Sequence, residues 1–334
     1  MQHRRLALSV LLWGLAGAAQ AEPNAMPISG QVRVQHDELQ ANQALAGPAR
    51  LPTGFSTLET ELRASGRGLT TVVTLQQRQQ ADAGSSRAWV NEFYASHDGG
   101  AWQLSAGKKI VSWDVGYGFR PNDMVQQEAR RSLVATTPEG RPLLLAEHFN
   151  ADTAWSVVWV NPTGAADDAS GNEPAVATRF YKRHGAVDWY GFARSGVRVG
   201  SSAGAAVAWV ASDALELHGS VRYLNRGVKQ ALVGGTWTTQ SQVSLLAEVW
   251  WDGTAALQRN LMLRMSWQHE GWQPALDVLY TPQDRGRVVT GSLAWQGDRV
   301  QVQGGVRVYG GPPAAQWTQL PVRSQAYAAV TWSF

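Results

Sequence analysis

Residues 299–309 read Arg-Val-Gln-Val-Gln-Gly-Gly-Val-Arg-Val-Tyr. Val300, Val302, Val306 and Val308 share one parity, and Arg299, Gln301, Gln303 and Arg307 share the other. A period of two is that of an extended strand, whose successive side chains point to opposite faces. The same alternation recurs at Leu69-Thr71-Val73-Leu75, at Val243-Leu245-Ala247-Val249-Trp251 and at Leu261-Leu263-Met265-Trp267, each run bounded by turn residues. The chain therefore reads as all-β.

Working outward, the pattern gives strands near 28–35, 55–64, 68–79, 87–97, 100–111, 142–149, 153–161, 175–183, 186–195, 197–211, 214–225, 228–239, 241–252, 257–268, 271–280, 287–296, 299–309 and 322–334. That count is eighteen, with sixteen as the alternative. Tight connections such as Ser65–Arg67, Asn150–Asp152 and Gly297–Asp298 alternate with longer polar ones at 36–54, 80–86, 112–141, 162–174, 281–286 and 310–321. Short turns at one rim, long loops at the other and an even strand number predict a closed antiparallel transmembrane β-barrel with one long inserted extracellular loop.

The tryptophans separate this reading from a soluble sandwich or propeller. Trp102, Trp155, Trp189, Trp209, Trp237, Trp267, Trp272, Trp295 and Trp332 fall on the apolar parity, each within a few residues of a tight turn. Indole rings favour the headgroup level, so these nine predict an interfacial girdle at one rim, with Trp89, Trp159 and Trp251 starting the opposite belt. The other parity carries charge that no dry core tolerates, including Arg33, Arg63, Arg78, Arg194, Arg226, Arg299 and Arg323. Arg179, Arg183, Arg198, Arg222, Arg264 and Arg307 are the residues expected to line a hydrated lumen. Inward acids such as Glu59, Glu61, Asp188, Glu216, Glu248 and Asp277 neutralise only part of this set.

The full sequence has 334 residues, no Cys, 29 basic and 26 acidic residues. Residues 1–21, with Arg4 and Arg5 ahead of an apolar run and an Ala19-Gln20-Ala21 site, have the layout of a cleaved signal peptide, leaving 22–334 as a single barrel domain. Without Arg4 and Arg5 the balance is close to neutral, so nucleic-acid binding is not expected. A chain without Cys holds no disulfide framework and no thiol chemistry. The histidines show no metal-binding spacing and Gly116-x-Gly118 lacks a phosphate-loop context, so neither metal nor cofactor is expected.

The chain ends Ala326-Tyr327-Ala328-Ala329-Val330-Thr331-Trp332-Ser333-Phe334. This segment resembles the closing strand of bacterial outer-membrane β-barrel proteins of the porin-like class. The resemblance implies a Gram-negative outer membrane, contact with its lipid and lipopolysaccharide, and Trp332 and Phe334 as a signal to the barrel-assembly machinery. It is shared by barrels of every function and carries no information about cargo.

Segment 112–141 breaks the strand rhythm, and an insertion of that length is usually functional or disordered. In porin-like barrels a long early loop folds inward and narrows the channel, and this one resembles it in place and length. Asp114, Arg120, Asp123, Glu128, Arg130 and Arg131 are the expected constriction residues, with opposed charges imposing a transverse field. Asn122 or Asp123 would cap a short helix through Val125, Gln126, Glu128, Ala129 and Arg130. The function expected is a channel for passive passage of small hydrophilic, preferentially anionic, solutes. One rival is a non-channel assembly or secretion scaffold. Another is an outer-membrane lipid hydrolase using His218 and Ser220, which share a strand face with Glu216. No strand stands out as an interface, so oligomeric state is not fixed by the sequence.

Overall fold

The computed structural model of the protein describes residues 26–43, 45, 53–81, 83–126, 131–135, 137–162 and 173–334. The segment 1–21 and residues Glu128, Arg130, Asp167 and Asp168 lie outside them, as does the side chain of Arg226. Eighteen strands follow in order: β1 (Ile28–Ala41), β2 (Gly54–Gly66), β3 (Leu69–Gln80), β4 (Ala83–Gly99), β5 (Trp102–Lys109) and β6 (Arg141–Phe149). Next come β7 (Thr153–Val160), β8 (Ala175–His184), β9 (Val187–Gly196), β10 (Gly200–Ser212), β11 (Leu215–Leu224) and β12 (Lys229–Thr238). The last six are β13 (Val243–Asp252), β14 (Arg259–Trp267), β15 (Trp272–Thr281), β16 (Gly286–Gln296), β17 (Val300–Gly310) and β18 (Val322–Ser333).

Each strand pairs antiparallel with its sequence neighbour, and β1 also pairs with β18 from Gln31↔Ser333 to Ala41↔Val322. Phe334 closes the seam, its N–H and C=O each bonded to Gly30 at 3.0 Å. Closure leaves no unpaired strand edge, the one arrangement by which strands satisfy their backbone groups inside lipid. Tight turns use the expected chemistry. Arg67 and Gly68, between β2 and β3, both take positive φ (51° and 78°), the backbone of a type I′ hairpin.

The parity of the sequence survives as the two faces of the wall. All nine girdle tryptophans are exposed on the outer face near the short turns, and Trp159 and Trp251 are exposed there too. Trp89 is not. At Val72↔Glu92 and Val73↔Val90 the β3–β4 register skips a residue, and Asn91 and Glu92 both turn inward. That bulge puts Trp89 on the inner parity with its partner Thr74, against the expectation of an outer belt.

Parts of two expected loops are strand. β1 continues to Ala41, and β3 and β4 run on until only residues 81–82 separate them, within the loops expected at 36–54 and 80–86. The outward positions of this stretch are polar; His36 bonds Glu38 at 3.0 Å on the exposed face. Apolar alternation stops where a strand leaves the apolar band, while ladder pairing continues beyond it.

Candidate channel constriction

Between β5 and β6 the described residues 110–126, 131–135 and 137–140 fold into the barrel and follow its inner wall. At the leading end the Ile110 N–H bonds the Glu92 carboxylate at 3.0 Å. At the trailing end Asn91 accepts from the Gly140 N–H at 2.8 Å and donates to the Thr137 carbonyl at 2.9 Å. The β4 bulge thus serves as the clasp for both limbs, a role the sequence reading did not assign.

Between the limbs the loop touches several strands in turn. Glu248 on β13 accepts the N–H groups of Tyr117 and Gly118, each at 2.6 Å, and His218 Nε2 on β11 lies 2.9 Å from the same carboxylate. Asn122 donates to Ser220 Oγ at 2.8 Å and the Val221 carbonyl at 3.0 Å, and Arg222 grips the Pro121 carbonyl at 2.9 Å. Further along, Arg307 on β17 holds the Arg131 carbonyl at 2.6 Å, and Arg33 on β1 holds the Ala135 carbonyl at 2.7 Å while pairing with Glu59 at 2.7 Å. Apolar contacts add to these. Trp113 and Met124 pack on Leu143, Val158, Val160, Phe192 and Ala206, and Phe119 stacks on Trp250 at 5.8 Å.

Two expected constriction acids serve the loop's own fold. Asp123 accepts from the N–H groups of Trp113 (2.7 Å) and Asp114 (3.0 Å) and lies 3.2 Å from Arg120 Nε. Asp114 accepts from the N–H groups of Val115 (2.9 Å) and Asn122 (2.6 Å) and from the Ser220 hydroxyl (2.8 Å). Burial pushes both carboxyls above their ordinary value, and the donors around them offset only part of that. Asp114, Arg120 and Asp123 are each at most 7% exposed, so their charges face one another and the backbone, not an aqueous passage. Residues 122–126 are not helical, the Asp123 carboxylate being bonded to the turn at 113–114, and the rest of the expected helix, 127–130, lies outside the described residues. Glu128 and Arg130 are outside the described residues.

Arg131 is placed differently. It lines a cavity of ≈ 780 Å³ between the loop and β12–β18, together with Arg264, Arg307, Asp277, Tyr117 and the polar side chains of Gln273, Thr290, Gln301 and Gln303. The cavity extends from Thr238 and Gln242 at the short-turn rim to Tyr309 and Trp317 near the long connections. Arg264 Nη1 donates to both carboxylate oxygens of Asp277, at 2.8 and 2.9 Å, and its guanidinium lies 5.4 Å from the centre of the Tyr117 ring. Arg131 sits 5.6 Å from the Trp250 ring, and burial followed by the nearby Arg307 lowers its basicity.

The remaining lumen arginines divide. Arg222 is buried as a loop clamp, and Arg179 lies 3.3 Å from Ser156 Oγ and 5.7 Å from the Trp113 ring. Arg183 and Arg198 lie near the two rims. Arg183 is exposed at the short-turn end of β8, beside Gly185, and Arg198 is exposed in the β9–β10 turn at the opposite rim.

His218 and Ser220 point into the barrel and are buried beneath the loop. The histidine is engaged with Glu248 and the serine donates to Asp114, so each addresses a different carboxylate.

Small residues make the loop's bed. A Cβ on Gly204 of β10 would collide with the Asn122 carboxamide. Gly204→Val is therefore expected to displace Asn122, costing about 1–3 kcal/mol for the orphaned groups, and to give noisier, larger ion steps with a lower melting temperature. Unchanged current noise and melting would show that Asn122 does not hold the loop.

At the long-loop rim Glu173 accepts from the Arg194 guanidinium at 2.7 Å and from the N–H groups of Val199 (3.1 Å) and Arg198. Burial alone would raise this carboxyl, but the three donors together hold it below its ordinary 4.5. A carboxyl with a depressed folded value stabilises above the ordinary value and loses that contribution as pH falls through the folded one. Protection of the Arg198 and Val199 amides, measured against the intrinsic exchange rate at each pH, should accordingly be high at pH 7 and lost once Glu173 is protonated in acid. Equal protection at pH 3 and pH 7 would contradict the clamp.

No family model and no curated protein sequence matches the chain. Among solved structures, its architecture is similar to that of the porin of Rhodopseudomonas blastica. One variant with three substitutions is 14% identical, covers 93% of this chain and 100% of its own, and superposes with a TM-score of 0.54. Another variant of that porin, and a structure described as concerning asymmetric conductivity of engineered proteins, each give 13% identity over 93% of this chain and 100% of theirs, with a TM-score of 0.52. At such identity the likeness speaks for architecture alone. The fold is a closed eighteen-stranded barrel of the porin-like type.

Proposed function

We propose that the chain is an outer-membrane channel for passive passage of small hydrophilic solutes, anions preferentially. The observation that carries this reading is the fixed charge around the cavity, where among the described lining residues Arg131, Arg264 and Arg307 outnumber Asp277. Excess positive charge inside a low-dielectric wall raises the local anion concentration. On this reading the outer apolar face and its tryptophan belt sit in lipid. The short-turn rim faces the periplasm, the long-loop rim faces lipopolysaccharide, segment 1–21 is removed on export, and Trp332 and Phe334 are read by the assembly machinery. The wall and loop need only exclude lipid, hold water and present charge, so no residue is asked for covalent chemistry.

Planar-bilayer recording across a KCl gradient tests it. Discrete ion steps with a reversal potential on the chloride side are expected. The channel is rejected by absence of steps from both the parent and a loop-excised form, and a several-fold potassium preference rejects the anion part.

A further inference from the structure

Within the passage, Arg131 and Arg307 form a like-charged pair. Arg307 donates Nε to Thr290 Oγ1 at 3.0 Å and Nη2 to the backbone carbonyl of Arg131 at 2.6 Å, and both side chains line the same cavity, close enough for the charge of Arg307 to act on Arg131. The acids nearest to them are otherwise engaged: Asp277 takes Arg264 Nη1 on both its oxygens, and Glu248 accepts two loop amides and contacts His218. Two like charges lining one cavity repel each other, an anion between them relieves that repulsion, and each guanidinium offers the paired donors that suit a planar oxyanion.

The surface next to the pair is aromatic. Tyr309 lies two residues beyond Arg307 on the same face of β17, roughly 6–7 Å along the strand. Its ring stacks with Trp317 at 6.2 Å, and both line the same cavity as the arginines. A cationic pair beside a flat apolar wall suits a solute that carries a carboxylate on a planar ring.

We propose that this part of the passage is a saturable binding station for small aromatic carboxylates, with the carboxylate on Arg131 and Arg307 and the ring against Tyr309 and Trp317. The station rests on the channel reading above and narrows its solute class. Inorganic phosphate and acetate engage the arginines alone and bind more weakly.

The test is isothermal titration of the detergent-solubilised full chain with benzoate and with acetate, paired with bilayer recording in KCl containing either anion. Benzoate is expected to bind with saturation at least tenfold more tightly than acetate and to reduce the chloride current at correspondingly lower concentration. Arg307→Gln should weaken benzoate at least tenfold and Arg307→Lys should recover part of the loss. Tyr309→Leu should bring benzoate down to the acetate level while leaving acetate unchanged. Should Arg307→Gln fail to fold, Arg131→Gln, on the loop, reads the same loss. Equal affinities for the two anions, or benzoate binding untouched by these substitutions, would overturn the station. Ion steps without saturable benzoate binding leave the channel standing and remove the station; benzoate binding without ion steps does the reverse.

Discussion

Replacing residues 113–135 with a short Gly-Ser linker is expected to raise single-channel conductance several-fold. An eighteen-stranded barrel encloses a lumen wide enough for an aqueous channel, and here the loop packs on the inner faces of β6, β7 and β9 to β14, leaving a cavity lined by residues of β12–β18. Ile110 and Gly140 stay bonded to the β4 bulge, and the closed strand ladder is untouched, so the barrel persists. The excision is not free of cost. Leu143, Val158, Val160, Phe192, Leu232 and Met262 become wetted, at about 1.5–3 kcal/mol for each such side chain fully exposed, and the melting temperature falls. Conductance equal to the parent's in a variant that keeps its heat-modifiable barrel would show that the loop does not set the passage.

The wall was legible because lipid and water impose a period-two pattern that the ladder cannot shift without turning every side chain over. Val300 to Val308 displays that pattern without interruption, and the girdle tryptophans follow from it. It fails where the strand leaves the apolar band, which is why β1 past His36 and the β3–β4 hairpin read as loops. It fails again at Asn91, where a bulge reverses parity within one residue.

The constriction was legible as a place but not as a set of residues. Charge in a long loop suggests a field, yet Asp114, Arg120 and Asp123 spend theirs on buried backbone groups. A signal for the docking surface did exist. β7 is apolar on both parities, with Val158 and Val160 inward and Val157 and Trp159 outward, and a strand apolar on both faces is buried on both. An open lumen would leave those inward valines in water, so they mark where the loop packs. The inward glycines of β10 and β12, Gly204 and Gly234, carry the same message, since a Cβ on either meets Asn122 or the Glu248 and His218 side chains.

The double substitution Arg131→Glu, Arg307→Glu inverts the ion preference. It changes the charge lining the cavity from an excess of two positive to an excess of two negative, because Arg264 and Asp277 remain as a neutral pair. Each fixed charge about 7 Å from an ion on the passage axis contributes roughly 0.6 kcal/mol in a water-like medium. A Debye length of about 8 Å at physiological salt reduces a four-charge change to roughly 1 kcal/mol for each ion sign. Raising the anion's energy and lowering the cation's by that amount shifts the chloride-to-potassium permeability ratio by roughly thirtyfold. The reversal potential in a KCl gradient should therefore change sign, and the change should shrink toward zero near 1 M salt, where the screening length falls to about 3 Å. Arg323→Glu, exposed at the long-loop rim, supplies the control, with a much smaller shift. If the rim substitution moves the reversal potential as far as the double substitution does, selectivity is set by the barrel's mouth and the cavity arginines lose their role.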